Sequence, residues 1–188
     1  MRNIIIFLLP FFLYGNYSNS GPYEVVKSID NFTLTSGQTI EYTFYTPAEI
    51  NHIIQVTLVH ATSRNMDSYH GLAEHYASWG FGVITMNLPH SSIFDNDPLQ
   101  DAIYLREVSD NFSDGRAIIY VGHSSGAMRA IVAATEDTNA IAILGLDLTD
   151  GAYEDSGGEL LGLMHANMLS IPIWGMLGEP GICNAYGN

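Results

Sequence analysis

Apolar residues along this chain follow two alternating rhythms. Compact runs rich in Ile, Val, Leu and Ala occupy 53–59, 82–86, 117–121, 141–146 and 171–177. Such runs predict strands buried on both faces. Between them, at 69–79, 99–108, 127–134 and 160–169, apolar residues keep helical spacing, which lines one face of a helix. Gly80 and Gly115 punctuate the series, and Pro172 is tolerated near the start of a strand. Ahead of it, Tyr23–Lys27 and Thr39–Tyr45 cluster β-branched and aromatic residues, with Ser36-Gly37 as a turn and Pro47 as a break. They predict two early strands. Strands alternating with helices predict an α/β fold, a mostly parallel sheet with helices on both faces.

The first residues break this rhythm. Arg2 precedes an almost wholly apolar stretch from Ile4 to Leu13, and small and polar residues follow from Gly15 to Gly21. That layout predicts a signal peptide over 1–20, a domain over 21–188, and a secreted or periplasmic product. The apolar run is too short for a stable membrane span. If the chain is exported, Asn16, Asn31 and Asn111 stand in N-x-S/T triplets. Length is enough for one sizeable core and short for two.

Charge narrows the partners. Twenty acidic residues face six basic ones, a formal charge of −14. No basic footprint is available for phosphates, so nucleic acid is not an expected partner, and an anionic membrane would repel the chain. One cysteine excludes an internal disulfide framework. No metal or other cofactor is expected: His70 and His75 are wrongly spaced for two ligands on one helix face, Cys183 stands alone, and no glycine loop carries a P-loop lysine. Oligomeric state is not legible.

The sharpest chemical signal is Gly122-His123-Ser124-Ser125-Gly126, between the predicted strand at 117–121 and the helix from 127. In that context G-x-S-x-G predicts a nucleophile elbow with Ser124 as nucleophile. Glycines flank it because the strand-to-helix turn leaves no room for side chains. The amide of Ser125, at the helix start, is the expected first oxyanion donor. The second is expected from the loop after the first core strand, at Thr62 or alternatively Ser63, with His60 bracing that loop. An acid is needed to orient a base. Asp147, closing the strand at 141–146, is the first candidate, Asp150 the alternative and Glu179 a third. The expected chain order of nucleophile, acid, histidine finds no base. His165 alone follows the elbow and falls in a predicted helix, while His52, His70, His75 and His90 precede it. Met66, Tyr69, Trp174 and Met176 would line an apolar acyl pocket or belong to the core.

Leu58-Val59-His60-Ala61, the helix–glycine–strand pattern of Tyr69–Asn87, the elbow, Gly145-Leu146-Asp147 and the tail GEPGICNAYGN together resemble the secreted α/β-hydrolases grouped with chlorophyllases and bacterial cutinases, the polyester hydrolases. The resemblance runs from about Gly21 to Asn188. It implies an α/β-hydrolase fold and a serine esterase acting on small apolar esters by an acyl-enzyme. Ser124 would be the nucleophile, Asp147 the acid, and the amides near Thr62 and Ser125 the oxyanion hole. It also implies a further C-terminal strand, a catalytic-histidine loop and a His-Cys pair whose cysteine would partner Cys183. None of these occurs in the chain, so an incomplete domain and an inactive product are expected. Ala61 replaces a usual glycine. A non-catalytic secreted binding protein and an amidase or peptidase on the same scaffold are the alternatives.

Overall fold

The computed structural model describes residues 17–151 and 157–178. Among the described residues seven strands are formed: β1 (Val25–Thr33), β2 (Thr39–Pro47), β3 (Ile54–Val59), β4 (Gly82–Met86), β5 (Ala117–His123), β6 (Ala140–Leu146) and β7 (Ile173–Met176). Four α-helices accompany them: α1 (His70–Ser78), α2 (Pro98–Ser113), α3 (Ser125–Ala134) and α4 (Leu161–Ala166). They build one sheet in the order β1-β2-β4-β3-β5-β6-β7. β1 pairs with β2, and β2 with β4, antiparallel; the remaining neighbours are parallel. The mostly parallel α/β architecture is the one the apolar runs predict.

Burial explains why those runs were legible. β4 is buried at every residue and β3 at all but its first. One face packs under α1 through Val56, Leu58, Val83, Ala73 and Ala77. The other packs under α2 and α3 through Ile84, Ile118, Tyr120, Leu105 and Met128. The parallel strands β3, β4 and β5 end on one edge of the sheet, where the loops after them converge. The early hairpin turns at Gly37, whose φ of 86° suits a residue without Cβ. The Leu34 N–H closes this turn on Gln38 O at 2.8 Å.

Several boundaries differ from the sequence expectation. β1 starts two residues later than Tyr23 and runs on to Thr33, because it is an exposed edge paired along its length with β2. Pro47 ends β2 from within, paired with Val25. α4 is confined to Leu161–Ala166, shorter than the expected 160–169. The largest difference is α2, which continues past Val108 to Ser113. Two serines of this continuation, Ser109 and Ser113, are buried rather than solvated: Gln55 Nε2 donates to Ser109 O at 3.1 Å and Thr57 Oγ1 lies 3.0 Å from Ser109 Oγ. Asp97 caps the start of α2 by accepting from the Gln100 N–H, and Pro98 occupies the first turn.

Residues 17–23 lie against the end of α1. Tyr17 stacks on Trp79 with centroids 4.6 Å apart, and the Gly21 N–H donates to Ser78 Oγ. The rest of the predicted signal segment, Glu179, Cys183 and most of the tail motif lie outside the described residues. Among the described residues no helix is long and apolar enough to cross a membrane.

Candidate active site

Ser124 stands between β5 and α3 with φ 52° and ψ −126°. An L-residue pays about 1–3 kcal/mol to sit in such a region, and the surroundings force it there. The Ser124 N–H donates to Leu146 O of β6 at 2.9 Å, and the Ala127 N–H returns to Ser124 O at 3.0 Å. A Cβ on Gly122 would collide with the backbone of Ala127, and one on Gly126 with the carbonyls of Val59 and His60. The two glycines are therefore required by close backbone approach on both sides of the serine. The Ser125 amide belongs to the first turn of α3, whose N–H groups have no intrahelical partner and carry the positive end of the helix dipole.

The loop after β3 faces this turn and is closely tied. The Ala61 N–H donates to Tyr69 Oη at 3.2 Å, the Thr62 N–H to Ser125 Oγ at 2.9 Å, and the Ser63 N–H to Ser91 O at 2.7 Å. Thr62 Oγ1 also lies 2.7 Å from Ser125 Oγ. The structure thus brings Thr62 onto Ser125, while the alternative donor Ser63 spends its amide on the next loop. His60 braces the loop as expected. Its Nδ1 lies 2.9 Å from Ala61 O, and its Nε2 accepts from the Leu88 N–H at 3.0 Å. Acceptance at Nε2 puts the proton on Nδ1. Burial pushes the pKa of this imidazole down, opposed by its bond to Ala61 O.

On the other side, the Ser124 hydroxyl is 3.2 Å from Thr149 Oγ1 and donates to it. Asp147 lies at the end of β6, with a left-handed φ of 50°, and its N–H donates to Met176 O of β7. Asp150 has a different occupation. Its carboxylate accepts from the N–H groups of Gly151, Gly162 and Leu163 at 2.7–2.8 Å. It holds the first turn of α4, as a carboxylate at a helix start does.

All seven histidines fall among the described residues, and none has a hydrogen bond to Ser124. His70 Nδ1 lies 2.7 Å from Tyr45 Oη, and its Nε2 meets Glu74 at 3.0 Å. His90 Nδ1 meets Asp95 at 3.0 Å, His123 Nδ1 meets Tyr69 Oη at 2.7 Å, and His165 Nδ1 lies 3.3 Å from Thr135 Oγ1. His52 is packed on Phe44, and His75 on Tyr76. Of the apolar candidates, Met66 is core, Tyr69 ties the loop after β3 to His123, and Trp174 and Met176 are exposed. Among the described residues no three His, Cys, Asp or Glu side chains form a metal-binding group.

Two participants were not anticipated. Thr149 carries no motif, and only the fold places it at Ser124. Arg129 had a signal: it is a lone cation in the apolar helix SGAMRAIVAA. Arg129 and Asp101 are both fully buried and paired at 2.8 Å. The guanidinium also donates to Ser125 O, His90 O and Asn96 Oδ1, and Asp101 accepts from the His90 N–H. One buried cation therefore joins α3, α2 and the loop after β4. Burial pushes the Asp101 carboxyl up while Arg129 pulls it down.

No family profile matches the chain, and no curated protein does. Solved structures do match. The structure of DcsB with its substrate analogue is 19% identical with a TM-score of 0.59, over 68% of this chain and 48% of that one. The α/β-hydrolase GrgF from Penicillium is 15% identical with a TM-score of 0.59, over 68% and 47%. A thermostable carboxyl esterase from Bacillus coagulans is 18% identical with a TM-score of 0.55, over 70% and 47%. The chain has the fold of the α/β-hydrolase superfamily, and it spans about half the length of these structures.

Proposed function

We propose that this chain is the nucleophile-bearing part of a serine-dependent carboxylic ester hydrolase, with Ser124 as nucleophile. The observation that carries the reading is the backbone of Ser124, held at positive φ between two glycines that have no room for a Cβ. A fold keeps such strain where presenting one hydroxyl is its use. The likeness to an esterase fold supports the reaction class. The sequence resemblance to chlorophyllases and bacterial cutinases supports small apolar esters as substrates, and the leader pattern supports export.

In this reading Ser124 Oγ attacks the ester carbonyl carbon and its proton passes to a base. The carbonyl oxygen becomes an oxyanion against the Ser125 N–H and the Thr62 loop. Collapse expels the alcohol, which takes the proton, and water then releases the acid from Ser124 by the same route. Asp147, at the end of β6, is the acid that would orient the base. Asp150 is already committed to α4. With no described histidine on Ser124, elbow and oxyanion site alone sustain the slow part of catalysis, about 10³–10⁴-fold over water.

That absence also favours a second reading, a hydrolase-like binding protein whose elbow is retained without turnover. Incubation with a fluorophosphonate probe, read by intact mass beside S124A, separates them. Slow addition of one probe, abolished in S124A, is the expected result. A folded sample that takes up no probe overnight leaves the binding reading.

A further inference from the structure

The loop that should supply the second oxyanion donor has no amide to give. The N–H groups of residues 61, 62, 63 and 64 donate to Tyr69 Oη, Ser125 Oγ, Ser91 O and Ala61 O respectively. Each amide carries one hydrogen, and each bond is 3.2 Å or shorter. The hydroxyls count differently. Ser125 Oγ and Thr62 Oγ1 lie 2.7 Å apart and carry one hydrogen each. A single bond between them consumes one of the two, and the other has no assigned acceptor.

We propose that the second donor to the developing oxyanion is the Thr62 hydroxyl, not the Thr62 amide, and that Ser125 acts behind it as a positioning residue. The order is head to tail. The Thr62 N–H donates to Ser125 Oγ, the Ser125 hydroxyl to Thr62 Oγ1, and the Thr62 hydroxyl is left to donate outward. Each bond polarises the next, which strengthens the last donor. The chain is short, half-buried and closed on the α3 start, so the Thr62 oxygen is fixed before a substrate arrives and its hydrogen needs only to turn to the oxyanion. Ser125 thus contributes twice, its backbone N–H as one donor and its side chain as the prop of the other. The assignment rests on Ser124 being the nucleophile.

Thr62→Val separates this from an amide donor, because it removes the hydroxyl and leaves the amide. The rate of fluorophosphonate addition to Ser124 should fall about 10²-fold in T62V, the cost of one oxyanion donor. T62S, which restores a hydroxyl, should stay within about threefold of wild type. S125A should fall less than T62V, since Thr62 keeps its outgoing hydrogen. Hydrogen exchange at the residue 62 amide gives a readout independent of reactivity: protected in wild type and T62V, and fast in S125A. Wild-type addition with T62V unchanged overturns the hydroxyl donor and leaves Ser124 standing. No addition to wild type overturns both. An unprotected amide at residue 62 in wild type, or one still protected in S125A, overturns the relay.

Discussion

The middle and the outer edge of the parallel sheet are made of similar residues and fare very differently. At β3, IQVTLV is buried on both faces, between α1 and the α2/α3 layer. At β7, IWGM is exposed at every position, with Trp174 at 58% and Met176 at 61%. Their register places Trp174 beside Leu144 and Met176 beside Leu146, on the sheet face that α1 shares. α1 itself packs on β4, β2 and β1. A strand therefore forms wherever its neighbour offers a ladder, while its energetic weight depends on cover. Fully burying one large apolar side chain contributes about 1.5–3 kcal/mol, and β7 forgoes most of that. The candidate site straddles the contrast. Ser124, Ser125 and Thr62 rest on the buried middle, and Asp147 hangs its N–H on Met176 O of the exposed edge.

Glycine is the sharpest test of this asymmetry. Gly126→Ala should cost on the order of 5 kcal/mol, enough to abolish cooperative folding, since the new Cβ meets the backbone of β3. Gly175→Ala in β7, with nothing near its Cβ, should raise stability by about 0.5 kcal/mol. Urea unfolding of both reads the difference, and equal costs would break the comparison.

Arg129→Met comes next. It strands the Asp101 carboxylate in a site with no exposure and should cost about 3–5 kcal/mol. Adding Asp101→Asn should recover part of that, because the buried charge goes too. A cost below about 1 kcal/mol by thermal or urea unfolding would mean the pair does not bind the elbow helix to α2.

The smallest effect is a pH slope. His60 is buried with its pKa lowered by desolvation, so the unfolded chain binds a proton that the folded chain refuses. Stability should be fully present above the unfolded pKa, near 6.5, and fall as pH drops below it toward the folded value. The slope is at most about 1.4 kcal/mol per pH unit from this group. It should flatten in His60→Gln, which offers a neutral amide in its place. Urea midpoints between pH 5 and 7 give the comparison.

How much of this was legible follows the same division. Runs such as GVITM announced themselves because both faces are covered and polar residues are excluded. The tight turn at Ser124 was legible because two glycines have a steric reason to stand at that spacing. The end of α2 was not, because Ser109 and Ser113 look like solvent-facing residues. Only the long-range bonds of Ser109 to Gln55 and Thr57 reveal otherwise. Asp150 read as a possible acid because a carboxylate after a strand serves catalysis and helix capping equally well. The structure shows the capping bonds, from Gly162 and Leu163 a dozen residues away, which no local pattern announces. Thr62 and Ser125 were picked out only by their place beside the turn; Thr149 and the hydroxyl contact of Thr62 with Ser125 were not legible, since each depends on where two distant loops meet.

The central claim is that Ser124 is a presented nucleophile without an imidazole on it. The pH dependence of its fluorophosphonate addition tests this most directly. The account predicts a slow rate that climbs steadily with pH and shows no plateau above neutrality, as expected when solvent rather than a histidine takes the proton. A sigmoid with a midpoint near about 6.5, the histidine range, that vanishes when one of the seven histidines is replaced would contradict it.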